Sequence, residues 1–205
     1  MNSKTAIFVD FENLRKGVFD KAYKNLKLFF DYNNNANAII DFCNLCVFDT
    51  FEEKDLYNLY RIFLYTAKPP KGHKAEKNIN ELFSKLEQLN HTAIRFGKLV
   101  KRDENVYVQK QVDMLLGIDM VEISFKKFVD KVVLIGYDSD MAPALKIARM
   151  NGIQTEIIVF SDLNKHIEKS LYKHCDFAKE VEIKKIYKLL HDKKYQNMKF
   201  TKNSY

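Results

Sequence analysis

Cysteine is scarce in this 205-residue chain: there are three, an odd number with no framework of pairs. That excludes a disulfide scaffold and fits a reducing, cytoplasmic setting. Long apolar runs are missing as well. No stretch approaches the length needed to cross a bilayer. The amino terminus passes from Lys4 straight into a short run ending at Asp10, without the apolar core of a secretion signal. The six glycines form neither a G-x-G-x-x-G pattern nor a Walker loop, so the nucleotide folds built on those loops are not expected. The five histidines, at 73, 91, 166, 174 and 191, do not cluster and have no serine or cysteine partner, which speaks against triad chemistry.

What is present is an ordinary balance of 46% hydrophobic and 30% charged residues, enough for a core in one large domain or a domain with an appendage. The formal net charge is +7, and it is unevenly spread. From Val181 to Tyr205 seven lysines face only Glu182 and Asp192, so that segment carries +5 of the +7. Tyr187, Tyr195, Phe200 and Tyr205 are mixed into it. The division expected is a domain over 1–180 and a basic helix and tail over 181–205. A basic chain of this kind fits a polyanionic partner; a lysine-rich background composition is the simpler alternative.

Periodicity alternates between strand and helix. Thr5–Val9 is short and apolar on both faces, as a buried parallel strand is. Leu14, Val18, Ala22 and Leu26 recur at helical spacing, and the polar knot at Tyr32–Asn35 breaks the pattern. A helix is predicted over Ala36–Phe48, a strand over Leu59–Thr66, and a basic loop from Lys68 through Pro69 and Pro70 to Lys74. A helix through Ile79–Leu89 follows, then strands over Thr92–Val100 and Glu104–Val108 and a helix over Asp113–Phe125. Lys131–Ile135 is a buried strand. Ser139 or Asp140 is expected to cap the next helix, with Pro143 in its first turn and Asn151-Gly152 at its end. A strand over Thr155–Phe160 and helices over Asn164–Cys175 and Val181–His191 complete the chain. The order predicts an α/β fold of three layers, with a mainly parallel sheet between helices.

Four aspartates stand where strands end or helices begin: Asp10, Asp113, Asp138 and Asp140. In a parallel sheet the functional crevice lies beyond the carboxyl ends of the strands. Gathered there, the four could not all stay ionised without a cation. An all-oxygen cluster suits Mg²⁺ or Mn²⁺ and phosphate chemistry. Taken singly, each acid also reads as a turn, capping or strand-ending residue.

The segments Phe8-Val9-Asp10-Phe11-Glu12-Asn13-Leu14, Lys110-Gln111-Val112-Asp113 with Asp119 six residues on, and Gly136-Tyr137-Asp138-Ser139-Asp140-Met141-Ala142-Pro143 resemble the NYN domains. These are PIN-like, ribonuclease-type domains that include the LabA-like proteins. Their pattern is D-x-x-N-L, then K-x-V-D with a later Asp, then S-G-D-x-D-F-x-P, and the resemblance runs from about Thr5 to Val181 in order and spacing. Tyr137 stands where the pattern has Gly, Met141 where it has Phe, and Phe11 where Gly is frequent.

The resemblance implies a PIN-like, Rossmannoid fold and a metal-dependent ribonuclease leaving 5′-phosphate and 3′-hydroxyl ends. Asp10, Asp113, Asp138 and Asp140 would hold Mg²⁺ or Mn²⁺. Asn13 would orient Asp10 or a water, or serve as a helix cap. Lys110 and Ser139 would contact the substrate, although Lys110 also reads as a solvated surface lysine. Asp119 cannot share the helix face of Asp113 and would have a supporting or structural role. RNA is the implied partner, without a membrane; a homodimer is compatible. The alternative is an RNA-binding or regulatory module that turns over little. A phosphatase of the haloacid-dehalogenase type would want Asp-x-Asp where this chain has Asp10-Phe11-Glu12.

Other signals have two readings each. Cys43-x-x-Cys46 could join His174-Cys175 in a zinc site, or the cysteines could be buried packing residues. The Lys68–Lys77 loop and the basic aromatic tail could contact RNA, or be solvated.

Overall fold

A computed structural model describes residues 3–27, 35–72, 76–103, 106–163 and 168–192. Most of the polar knot at Tyr32–Asn35, part of the Lys68–Lys77 loop, the start of the predicted Asn164–Cys175 helix and the far tail lie outside the described residues.

Its centre is β1 (Thr5–Asp10), buried along its whole length because apolar side chains occupy both faces. Helix α1 (Phe11–Leu14) follows without a loop and continues through a π-helical segment, Arg15–Phe19, into α2 (Asp20–Leu26). Next come α3 (Ala36–Phe48), a 3₁₀ turn (Glu53–Asp55), β2 (Leu59–Lys68) and α4 (Glu76–Glu87). β3 (Thr92–Asp103) turns back through β4 (Val106–Lys110) into α5 (Val112–Phe125). The last third is β5 (Lys131–Ile135), a 3₁₀ turn (Ser139–Met141), α6 (Ala142–Met150), β6 (Gln154–Phe160), α7 (Lys169–His174), β7 (Phe177–Val181) and α8 (Ile183–His191).

The sheet has seven strands in the order β4-β3-β2-β1-β5-β6-β7. All pairs are parallel except β3 with β4. Register places Phe8 beside Phe63 and Asp10 beside Tyr65. Phe8, Phe63 and Tyr65 stack on one face, with Phe8 5.3 Å from Phe63 and 6.2 Å from Tyr65. On the other face Phe11 meets Phe83 of α4, and Phe42 of α3 meets Phe19, Phe160 and Tyr187. Each large side chain buried this way contributes roughly 1.5–3 kcal/mol. The α/β class and the mainly parallel sheet between helices are those the sequence predicts. No helix among the described residues is long and apolar enough to cross a membrane.

Several boundaries differ. β2 extends to Lys68 because its parallel pairing with β3 continues past the apolar residues, and β3 extends to Asp103 through its antiparallel pairing with β4. The described part of α7 is only Lys169–His174. β7 was not anticipated: its sequence, FAKEV, buries Val181 alone, and pairing with β6 rather than periodicity makes it a strand. That pairing takes Val181 out of the last helix, which starts at Ile183. The helix is fastened to the domain, burying Ile183, Ile186, Tyr187 and Leu190. Cys43 and Cys46 are fully buried on α3, and all three cysteines are free. Burial pushes the Cys43 thiol up to about 12 and also raises Cys46. The packing reading of the cysteines holds, and no zinc cluster occurs among the described residues.

Candidate active site

The strand order reverses at β1: the chain builds β2, β3 and β4 to one side, then crosses to place β5 on the other. Open α/β sheets bind ligands at such a switch point. Asp10 ends β1 there, 7% exposed. One of its carboxylate oxygens accepts from the Asn13 backbone N–H at 3.0 Å and the other from Asn13 Nδ2 at 2.5 Å. Asp10 is thus the cap of α1, and Asn13 positions the carboxylate and is not the cap.

On the β5 side Val9 pairs with Ile135, which brings Gly136 next to Asp10. A Cβ on Gly136 would lie 3.4 Å from the Asp10 Cβ, which marks the two residues as close neighbours at the rim. Asp138 follows, and its Oδ1 accepts from the Asp140 backbone N–H at 2.9 Å, capping the 3₁₀ turn. Asp138, and not Ser139 or Asp140, is therefore the cap. Its extended backbone lets the carboxylate reach forward two residues, while Ser139 and Asp140 are already inside the turn. Pro143 lies in the first turn of α6 as predicted.

On the β2 side, Gln111 takes a left-handed backbone with φ of 71°, turning the chain from β4 into α5. Asp113 then falls in the first turn of α5, where the helix dipole favours an acid.

Asp10, Asn13, Asp113 and Asp138 together line one cleft of about 310 Å³. Asp140 stands beside it, sharing the wall of a neighbouring groove with Asp113. Burial raises the Asp10 carboxyl above the usual range, the Asn13 hydrogen bonds oppose this, and the charges of Asp138 and Glu12 add to it. Asp113 is raised too, by desolvation and then by the charges of Asp10, Asp138 and Asp140. Its side chain stays open to solvent, so screening tempers these charges. Among the described residues no lysine or arginine is ion-paired to any of the four aspartates. Equally, no three acid, histidine or cysteine groups among them stand at metal-ligating range. The expected direct contact of all four carboxylates with one ion is therefore not present in this side-chain arrangement.

The NYN domain model matches residues 4–182. This chain belongs to the NYN domain family. Membership implies a nuclease-like fold and, in general, ribonuclease activity. The fold is also similar to a crystal structure of a protein of unknown function from Vibrio parahaemolyticus RIMD 2210633. That match has a TM-score of 0.54 and 15% identity over 89% of this chain and 94% of that one. No curated protein matches the chain.

Two departures from the NYN pattern are packing changes. Tyr137 is buried, its ring 6.2 Å from Phe160, and burial raises its hydroxyl far above the usual range. Met141 is buried at the start of α6. Asp119 lies apart from the cleft: its Oδ2 accepts from Tyr65 Oη at 2.9 Å and Arg95 Nε at 3.0 Å, tying α5 to β2 and β3. Ser139, half-buried in the 3₁₀ turn, does not line the cleft. Nor does Lys110; Gln109 does, and alternation along β4 sends Lys110 to the opposite face.

Five cleft residues escaped the sequence reading: Glu12, Lys16, Gly17, Lys21 and Gln109. The two lysines belong to the stretch containing the π-helical segment, which offsets their positions from regular helical spacing. Glu12 lies inside the first motif. Burial would raise its carboxyl, but the hydrogen bonds and charges of Arg15 and Lys16 prevail and hold it below the usual range.

Proposed function

We propose that this NYN domain is a metal-dependent ribonuclease hydrolysing RNA phosphodiester bonds at the acidic cleft, with Mg²⁺ or Mn²⁺ as cofactor. One observation carries the reading. Glu12 and Asp119 are each paired with cations, whereas Asp10, Asp113, Asp138 and Asp140 are concentrated at the sheet rim without a basic partner among the described residues. Negative charge left uncompensated in this way calls for a cation. The donors are all oxygens, and Mg²⁺ is ordinarily held through one or two carboxylates plus waters and substrate phosphates. The residues therefore fit such an ion without three carboxylates in direct contact.

Asp10, Asp113 and Asp138 would hold it, with Asp140 beside them. When bound, the ion supplies Lewis-acid polarisation of a phosphate oxygen and acidification of a water. Asn13 keeps the Asp10 carboxylate in one orientation through two hydrogen bonds. Asp113, exposed in the first turn of α5, would offer the ion a carboxylate from the β4–α5 turn. Lys16 and Lys21 on the cleft wall would draw in a phosphate, and the Gln109 amide would donate to phosphate or ribose.

The test uses purified chain, end-labelled RNA and Mn²⁺ or Mg²⁺. Cleavage is expected, abolished by chelator and reduced about 100-fold or more in Asp10→Asn. The absence of three groups at metal-ligating range among the described residues favours a second reading, a weakly catalytic RNA-binding module. That reading expects RNA binding and no cleavage by wild type with either metal.

A further inference from the structure

Three lysines stand in register at the rim of the sheet. Lys68, the last residue of β2, pairs with Lys98 of β3, and Lys98 pairs with Lys110, the last residue of β4. Paired residues on adjacent strands project to the same face, with Cβ atoms about 5 Å apart. The face is the one that carries α4. Phe96, two residues before Lys98, packs on Phe83 of α4, and the Lys68 ammonium lies 4.1 Å from the Phe96 ring centroid. All three lysines are exposed.

The cation–π contact with Phe96 gives Lys68 a place in the fold, but folding gives no reason for the row as a whole, because like charges placed directly opposite one another destabilise a sheet. Protection of a sheet edge accounts for Lys110, since β4 is an edge strand, but not for Lys68 and Lys98 on interior strands. Among the described residues none of the three has a carboxylate within ion-pair distance. Beyond them on the same face Val100 and Val108 pair and remain 39% and 36% exposed, and Arg102 is exposed two residues after Val100. The result is a basic strip of open sheet at the rim where β1 delivers Asp10.

We propose that Lys68, Lys98 and Lys110 form a track for the phosphate backbone of single-stranded RNA along the α4 face of the same sheet rim at which β1 ends; the choice of RNA as the polyanion rests on the ribonuclease reading. The three ammonium groups would each neutralise a phosphate, and their mutual repulsion would be relieved by the ligand. The role assigned is positional and independent of sequence, since backbone contacts carry no base information.

The experiment measures binding of a fluorescein-labelled single-stranded oligoribonucleotide to the full chain in chelator, across a salt series. The variant Lys68→Gln/Lys98→Gln/Lys110→Gln should bind about 10-fold more weakly or worse, with the slope of log affinity against log salt shallower by about 2. A control variant, Lys146→Gln/Lys173→Gln, removes two exposed lysines on α6 and α7 and should bind as wild type does. The melting temperature of Lys98→Gln should be unchanged or higher, because a repulsion is removed; a fall would mark the row as structural and overturn the proposal. Wild-type affinity and slope in the triple variant would also overturn it while leaving the ribonuclease reading intact. Failure of the wild-type chain to bind RNA in chelator would overturn the track; failure to bind it with Mn²⁺ or Mg²⁺ as well would overturn both.

Discussion

Asp10 carries a charge where its surroundings disfavour one. It is nearly buried, another carboxylate faces it, and its raised pKa follows from burial first and from Asp138 and Glu12 after that. Asp113 is raised in the same sense. For an acid with a raised folded pKa, the folded state binds more protons than the unfolded chain between about 3.9 and the raised value. Stability without metal therefore falls as pH rises through that window and levels off above it. In Asp10→Asn, the amide can still cap α1, since Asn is as good a cap as Asp. The variant should melt above wild type at neutral pH in chelator, and the difference should vanish as pH falls below the ordinary carboxylate range. Thermal melts across pH would check it; a variant that melts lower at neutral pH would contradict it. The acids themselves were legible as residue types at strand ends. Their individual duties were not: whether Asp138 or Ser139 caps the turn depends on one backbone conformation, which composition does not encode.

The turn from β3 through β4 into α5 sets where Asp113 and Gln109 point. It closes tightly at Gly97: a Cβ there would stand 2.6 Å from the Lys110 carbonyl oxygen and 2.6 Å from Val112 Cγ2. Backbone cannot yield as a flexible side chain does, so Gly97→Ala should lose about 1–3 kcal/mol by overpacking. Urea unfolding would measure this, and a change under about 0.5 kcal/mol would mean that the hairpin shifts freely. Helices with clear caps and strands with continuous apolar runs were predictable here, as Ala36–Phe48 and Lys131–Ile135 illustrate. The π-helical segment and β7 were not, because one inserts an offset in helical spacing and the other owes its conformation to β6.

Across the molecule, one core joins both faces of the sheet. Cys43 and Cys46 lie inside it at 0% exposure, with thiols raised by burial. Only the thiolate reacts, and only when reachable. Both should resist alkylation by iodoacetamide at neutral pH in the folded chain and react in denaturant. Mass spectrometry of the two sites would check this, and fast labelling in native buffer would show that α3 opens independently of the rest.

Residue order alone determined the family and the raw materials: acids at strand ends, spaced as in the NYN motifs, with apolar runs long enough for a buried sheet. Tertiary pairing decided everything that depends on neighbours distant along the chain. Asp10, Asp113 and Asp138 share a cleft because β1 lies centrally between β2 and β5. Asp119 is tied to Tyr65 and Arg95 instead of joining them. The lysine row exists only through the register of three strands. Local propensity acts over a few residues, whereas register and strand order are set by burying the whole sheet at once, and that is a property of the folded chain.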